Sequence, residues 1–366
     1  MNRKSIDKTF LGIVIALVVI GAIMFTSASL GILAKNEAKF YGVISNQFIL
    51  GLGGGFVALY FGLKIPYKFW RSYSLIFFIL SVFVTLLVFV PIIGVSHGGA
   101  RRWIEFFGVS FQPVEFLKIG FIFYFAALLS LAKNRIHRFR YSILPFLLML
   151  ILIAGILLKQ PDTKSVILIT ITAFVMLFIS GVSWKKILGL LVVSGIALSI
   201  LVFFKPYLMD RINTFLNPNQ DGQGTSYQLQ QSLIAIGSGG TFGRGLGQSI
   251  QKFNYLPEPQ GDSIFAVIGE ELGFLGGVLL IILYLAFALR GYRIAHRAPD
   301  SFSKLIVIGF ITMIIAQSFI NIASIIGVFP LTGVPLVFVS HGGTSLFLSL
   351  GMMGIVLNIS KNSKKS

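Results

Sequence analysis

FLGIVIALVVIGAIMFTSASLGIL, residues 10–33, carries no charged side chain from end to end. A helix of about 20 apolar residues crosses the hydrocarbon of a bilayer. In lipid each backbone N–H and C=O must bond within its own segment, so the stretch reads as a transmembrane helix. Similar runs follow at about 43–65, 73–95, 114–131, 143–158, 166–181, 187–204, 264–289, 305–328 and 335–359. The chain is therefore read as a single-domain (1–366), all-α polytopic membrane protein with about ten transmembrane helices. Composition agrees: 55% of residues are hydrophobic and 11% charged, against about 25% charged in a soluble domain. Cysteine is absent, which excludes disulfides, thiolate metal sites and cysteine nucleophiles. The basic start and long apolar core of the first run predict an uncleaved anchor rather than a cleaved signal.

The net charge is +18. Nucleic acid is a poor explanation, because the densest basic group, Lys133, Arg135, Arg138 and Arg140, is a short connection between two apolar runs. Arg3, Lys4, Lys8, Lys64, Lys68, Arg71, Lys185, Lys186, Arg290, Arg293, Arg297, Lys304, Lys361, Lys364 and Lys365 fall on the same side as that group if the crossings alternate. This excess predicts both termini in the cytoplasm. Of the 12 acidic residues only Asp7 and Asp300 share that side; Glu37, Glu105, Asp162, Asp210, Asp221, Glu258 and Asp262 are among those at the other face or at membrane depth. Chemistry is expected at the outer face.

The connection 206–262, between the seventh and eighth runs, is far longer than the others and holds many apolar residues, including Phe215, Leu229, Leu233 and Phe253. Connections of that length in compact proteins are functional or disordered, and the apolar content predicts a partly ordered extracytoplasmic loop, with 227–236 a surface amphipathic helix. It ends in Leu256-Pro257-Glu258-Pro259-Gln260-Gly261-Asp262, with Glu270 and Glu271 soon after. Asp262 reads either as a helix N-cap or as a functional carboxylate; Glu270 and Glu271 read first as ion-pair partners bracing helices. Glu115 and Lys118 are neighbours on one helical face, either a self-compensated pair or, with Arg101 and Arg102, a cationic seat for pyrophosphate. The glycine-rich 238–247 is a packed turn or a phosphate nest. The four histidines make no zinc-hydrolase pattern, and the repeat of Ser96-His97-Gly98-Gly99 in Ser340-His341-Gly342-Gly343 is read as coincidence. Gly51 with Gly55 and Gly273 with Gly277 have the spacing of close helix packing.

The stretch Asn321 to Ser345, with Gly327, Pro330, Gly333, Pro335, Ser340, Gly342 and Gly343, resembles the signature of the SEDS family, the shape, elongation, division and sporulation proteins. Supporting matches are Gly99-Ala100-Arg101-Arg102-Trp103, Gln112-Pro113 with Glu115 and Lys118, Gln160-Pro161-Asp162, Tyr227-Gln228, and the run from Leu256 to Gly273. Gln251-Lys252 followed closely by Tyr255 looks more like the FtsW division branch than RodA. Val114, Thr163-Lys164 (in place of Leu-Gly), Val337 and His341 (in place of Tyr) depart from the family pattern.

The resemblance implies a peptidoglycan glycosyltransferase of the bacterial cytoplasmic membrane. It would polymerise lipid II at the outer face, with undecaprenyl-pyrophosphate-linked glycan as donor, a class B penicillin-binding protein as partner and a divalent metal (Mg or Mn) as cofactor; no ligand set is visible in the residues. The family's essential aspartate falls on Asp262, expected as base or metal ligand. Arg102, Lys118, Arg211, Arg244 and Lys252 are candidates to hold pyrophosphate, with Glu115 orienting Lys118 and with Glu258 and Ser340 in the substrate site. Two rival readings stay open, a lipid II flippase and a noncatalytic scaffold for the penicillin-binding protein.

Overall fold

The computed structural model describes residues 5–97, 100–106, 109–217 and 224–362. Arg3, Lys4, Gly98, Gly99, Asp221, Lys364 and Lys365, named above, lie outside them.

Asp7 caps α1 (Lys8–Leu33) by accepting from the Phe10 amide at 2.9 Å. The second crossing, Glu37–Lys64, combines α2 (Glu37–Ser45), a π-helical stretch (Asn46–Gly54) and α3 (Gly55–Lys64). The short α4 (Tyr67–Ser72) leads into α5 (Ser74–Leu86), extended by a 3₁₀ turn at Leu87–Phe89. After a small antiparallel sheet come α6 (Pro113–Leu131), α7 (Phe139–Leu157), α8 (Thr163–Ser180), α9 (Trp184–Phe204), α10 (Pro206–Leu216), α11 (Thr225–Gly239) and α12 (Gln251–Asn254). The chain closes with α13 (Ile264–His296), α14 (Ser301–Ile325) and α15 (Gly343–Lys361). Among the described residues nine helices are long and apolar enough to cross a membrane, and Ser74–Phe89 is a shorter apolar helix in the third run. The 206–262 connection is largely ordered: α11 packs along the start of α13, and Gly239 approaches so closely that a Cβ there would stand 2.0 Å from the Gly269 carbonyl oxygen.

Three expectations need correction. The third run is not helical to residue 95, because Pro91 holds Val90 extended (φ −74°, ψ 120°) and stops the helix at Phe89. The chain then forms β1 (Gly94–His97), β2 (Ala100–Phe106) and β3 (Val109–Phe111), paired in that order, a small sheet in the connection that leaves the all-α polytopic fold as expected. Likewise, α13 is broken at Gly273 (φ 67°, ψ −166°), so Glu270 and Glu271 sit on a short helix before the crossing proper.

The tenth run is helical only from Gly343. Residues 330–342 are irregular backbone, which membrane proteins tolerate only where protein groups satisfy it. Here buried side chains do so. Gln317 Nε2 donates to Pro335 O at 3.2 Å, Asn321 Nδ2 to Val334 O at 2.7 Å, and Tyr284 Oη to Val337 O. Gln47 receives the Gly342 amide at 3.0 Å and donates to Ser340 O at 3.3 Å. The helices that flank this segment, α14 and α15, are the most buried of the crossings. Small residues let α15 approach α3, since a Cβ on Gly354 would stand 2.2 Å from Leu59 O.

Candidate active site

Two prolines and Glu258 in the left-handed region (φ 44°) fold 256–262 into tight turns, closed by the Gly261 amide on Glu258 O at 2.9 Å. The His341 amide bonds Gln260 O at 2.7 Å and Asn321 Nδ2 bonds Asp262 O at 2.7 Å, tying the turn to the irregular segment and to α14. The cap position of α13 is Ser263, and no side chain caps the helix, so Asp262 is not an N-cap. Its Oδ1 accepts instead from Gln228 Nε2 of α11 at 3.1 Å.

The other carboxylate oxygen faces Gly333, whose φ of +65° and missing side chain leave a cradle. A Cβ built there would stand 3.4 Å from Asp262 Oδ2, 4.0 Å from Arg211 Nη2 and 4.0 Å from Lys164 Nζ. Arg211 is fixed by donating to Thr332 O at 2.9 Å, and Lys164 by donating to Gly333 O. Burial pushes the Asp262 carboxyl above its ordinary value, against the Lys164 charge, the Gln228 hydrogen bond and the Arg211 charge, which all pull it down. A carboxylate held that way is a better proton acceptor than an exposed one.

Asp262 lines a cavity of about 240 Å³ together with Arg102, Gln112, Lys164, Glu258 and His341. A second groove of about 210 Å³, walled by apolar Ile167, Leu198, Val202, Leu208 and Ile212, adjoins it, and Arg102 and Lys164 stand in both walls. A polar chamber therefore opens beside an apolar channel, with cations at the junction. His341 stacks on Phe25 at 5.8 Å with its Nε2 lacking a partner.

The family model for FtsW, RodA and SpoVE, described as cell cycle protein, matches residues 7–365. The chain belongs to this family. It is 39% identical to stage V sporulation protein E of Bacillus subtilis (strain 168), over 99% of each chain. It is 38% identical to the probable peptidoglycan glycosyltransferase FtsW of Trichlorobacter lovleyi, over 98% of this chain and 94% of that one. Among solved structures it resembles a chain from work on the structural coordination of polymerization and crosslinking by a peptidoglycan synthase complex (26% identity, TM-score 0.81, 98% of both chains). It also resembles the rod shape determining protein RodA of Thermus thermophilus (25% identity, TM-score 0.73, 99% of this chain and 98% of that one).

Of the residues singled out on the family pattern, the structure gathers Asp262, Arg102, Arg211 and Glu258 around the two cavities. It does not bring Lys118, Glu115, Arg244, Lys252 or Ser340 there. Lys118, 4% exposed, is spent on Glu115 Oε1 at 2.7 Å and Gln317 Oε1 at 3.0 Å. Lys252 Nζ is buried against Glu271 Oε1 (2.6 Å), Gly247 O (2.8 Å) and Ser27 Oγ (3.1 Å). Arg244 Nε lies 3.7 Å from Glu270 Oε1. The glycine-rich loop spends its amides on the protein itself, Gly247 N on Glu271 Oε2 at 3.0 Å, Arg244 N on Glu270 O at 3.0 Å and Gly245 N on Glu271 O at 3.0 Å, so its concavity is a packed turn. Ser340 Oγ accepts from Leu336 N at 2.8 Å and shapes the irregular segment.

Lys164, Gln228, His341 and Gly333 reach the centre without having been assigned to it from the sequence. For Lys164 a signal existed. A cation in the first turn of a helix opposes the positive end of the helix dipole, and Lys164 is the second residue of α8.

Among the described residues no group of three or more His, Asp or Glu side chains could hold a metal. The cavity offers the carboxylates of Asp262 and Glu258 against Arg102 and Lys164 in the same lining. The cradle itself has one carboxylate oxygen and two cationic nitrogens. That donor set suits a hydroxyl or an oxyanion and does not fit a divalent cation.

Proposed function

We propose that the chain is a peptidoglycan glycosyltransferase that polymerises lipid II into glycan strands at the outer face of the cytoplasmic membrane. The observation that carries this reading is the convergence of Asp262 Oδ2, Arg211 Nη2 and Lys164 Nζ on one point beside Gly333, where a polar cavity meets an apolar groove. Lipid II unites sugars, a pyrophosphate and a polyprenyl chain. The polar cavity suits the sugar and pyrophosphate, and the apolar groove suits the first part of the chain.

A sugar hydroxyl placed in the cradle lies within reach of Asp262 Oδ2. As the 4-hydroxyl oxygen of the acceptor's GlcNAc bonds to the anomeric carbon of the donor, its proton passes to Asp262. The carbon–oxygen bond to pyrophosphate breaks, its electron pair leaves on undecaprenyl pyrophosphate, and the anomeric carbon inverts. Arg102 and Arg211 meet the charge that develops on the pyrophosphate. Glycoside hydrolysis needs a second carboxyl to protonate its leaving group; a pyrophosphate neutralised by cations leaves without one, so a single carboxylate suffices.

The Lys and Arg excess in alternate connections supports an outward-facing Asp262 and cytoplasmic termini. The likeness to a chain of a peptidoglycan synthase complex supports a class B penicillin-binding protein as partner. Purified in detergent with labelled lipid II and with neither ATP nor an ion gradient, the chain, alone or with that partner inactivated as a transpeptidase, is expected to yield long glycan. Failure to lengthen glycan under any condition would return the reading to a transporter or a scaffold.

A further inference from the structure

Lys164 is the cation that the cradle did not have to contain. Arg211 already places a guanidinium 4.0 Å from the Gly333 Cβ position, and Lys164 adds an ammonium at the same distance from the opposite helix, α8. Its cost is plain, since it lies in the first turn of an otherwise apolar crossing, against the helix dipole. The nearby Asp162 adds a negative charge beside the ammonium while its carboxylate oxygens cap α8, accepting from Ser165 Oγ at 2.8 Å and Ser165 N at 3.4 Å. The ammonium donates to Gly333 O and stands in the wall of both cavities. A positive charge fixed beside Asp262 favours the ionised carboxylate, against the burial that raises it, and meets negative charge arriving on the substrate. These are two of the services a divalent metal performs in phosphate chemistry.

We propose that the Lys164 ammonium is the resident cation of this reaction centre and that it frees glycan polymerisation by this chain from a requirement for added divalent metal. The claim rests on the glycosyltransferase reading above. Lys164 changes no bond. The acceptor's proton goes to Asp262 and the leaving electron pair to the pyrophosphate, and Lys164 stabilises both charges where they form.

The test uses the full chain, with its partner if activity needs one, in a lipid II polymerisation assay with EDTA or with Mg²⁺ or Mn²⁺ added. Wild type should keep its rate in EDTA to within about twofold. Lys164→Ala should fall by about 100-fold in EDTA, the scale for removing one preorganised electrostatic stabiliser, and recover with Mn²⁺. Lys164→Arg should stay metal-independent. Melting temperature, measured alongside, separates these outcomes from loss of fold, since a merely structural lysine would give a variant that no metal rescues. A second readout needs no turnover. Mn²⁺ titrated into wild type and followed by electron paramagnetic resonance should reveal no site that disappears in Asp262→Asn. Wild type silenced by EDTA but active with metal, or a Mn²⁺ site dependent on Asp262, would overturn the proposal while leaving the glycosyltransferase reading standing. Absence of glycan under every metal condition would sink both.

Discussion

A methyl group on Gly333 would occupy the space assigned above to the acceptor hydroxyl, 3.4 Å from Asp262 Oδ2. Gly333→Ala is therefore expected to cut polymerisation by about 100-fold, as displacements near 1 Å do at a reaction centre. The left-handed φ of +65° adds a stability loss of about 1 kcal/mol, small enough for a melting curve to show the variant folded. Asp262 also sets a pH dependence. Burial raises its carboxyl, while Lys164, Gln228 and Arg211 oppose the rise, with Glu258 and Arg102 the other charged groups around the cavities. The rate should fall as pH drops through the folded-state value, and Lys164→Ala should move that acid limb to higher pH; an unmoved limb would show that Lys164 does not act on Asp262. By linkage, a group raised on folding contributes stability below its unfolded value that is lost as pH rises through the folded one. At neutral pH, then, Asp262→Asn should melt no lower than wild type. Asp262 was legible in the sequence because its motif is linear. Lys164 showed only as a cation in the first turn of a helix, and its place at the centre was hidden because its neighbours, Gly333, Arg211 and Asp262, come from three distant segments.

At the scale of elements, the buried cluster of Ser27, Lys252, Glu270 and Glu271 fastens α1, the glycine-rich loop, α12 and the first turns of α13 to one another. The Lys252 and Glu271 side chains are both fully buried at 2.6 Å, and breaking such a pair by removing one partner costs about 3 to 5 kcal/mol. Lys252→Met should accordingly lower the melting temperature severely, whereas Arg244→Met, whose arginine is 38% exposed and 3.7 Å from its partner, should barely change it. Equal effects would contradict the division drawn here between clamp and rim. The sequence offers Lys118, Arg211, Arg244 and Lys252 as equivalent basic residues near the outer face. What separates them is which acid the fold brings alongside, and only Arg211 is left facing a cavity. The sheet at 94–111 was hidden for a related reason, since its first strand lies at the end of an apolar run whose composition reads equally well as helix.

Across the whole molecule, the ten apolar runs survive as ten helical segments in the expected order, because a backbone in lipid has few ways to satisfy itself. The departures cluster where protein replaces lipid as the partner. The break at Gly273 abuts the glycine-rich loop, with a Cβ there only 2.3 Å from Gly243 N, and residues 330–342 lie on Gln47, Gln317, Asn321 and Tyr284. Of these, residues 330–342 frame the site together with the turn at 256–262, which explains why hydropathy located the scaffold and missed the walls of the cavity. The account as a whole depends on Asp262 acting as the proton acceptor in glycan extension. The most direct measurement is the rate at which purified Asp262→Asn, shown by its melting curve to be folded, extends labelled lipid II beside wild type. Loss of essentially all polymer from the variant is the expected result, and glycan of wild-type length at a comparable rate would contradict it.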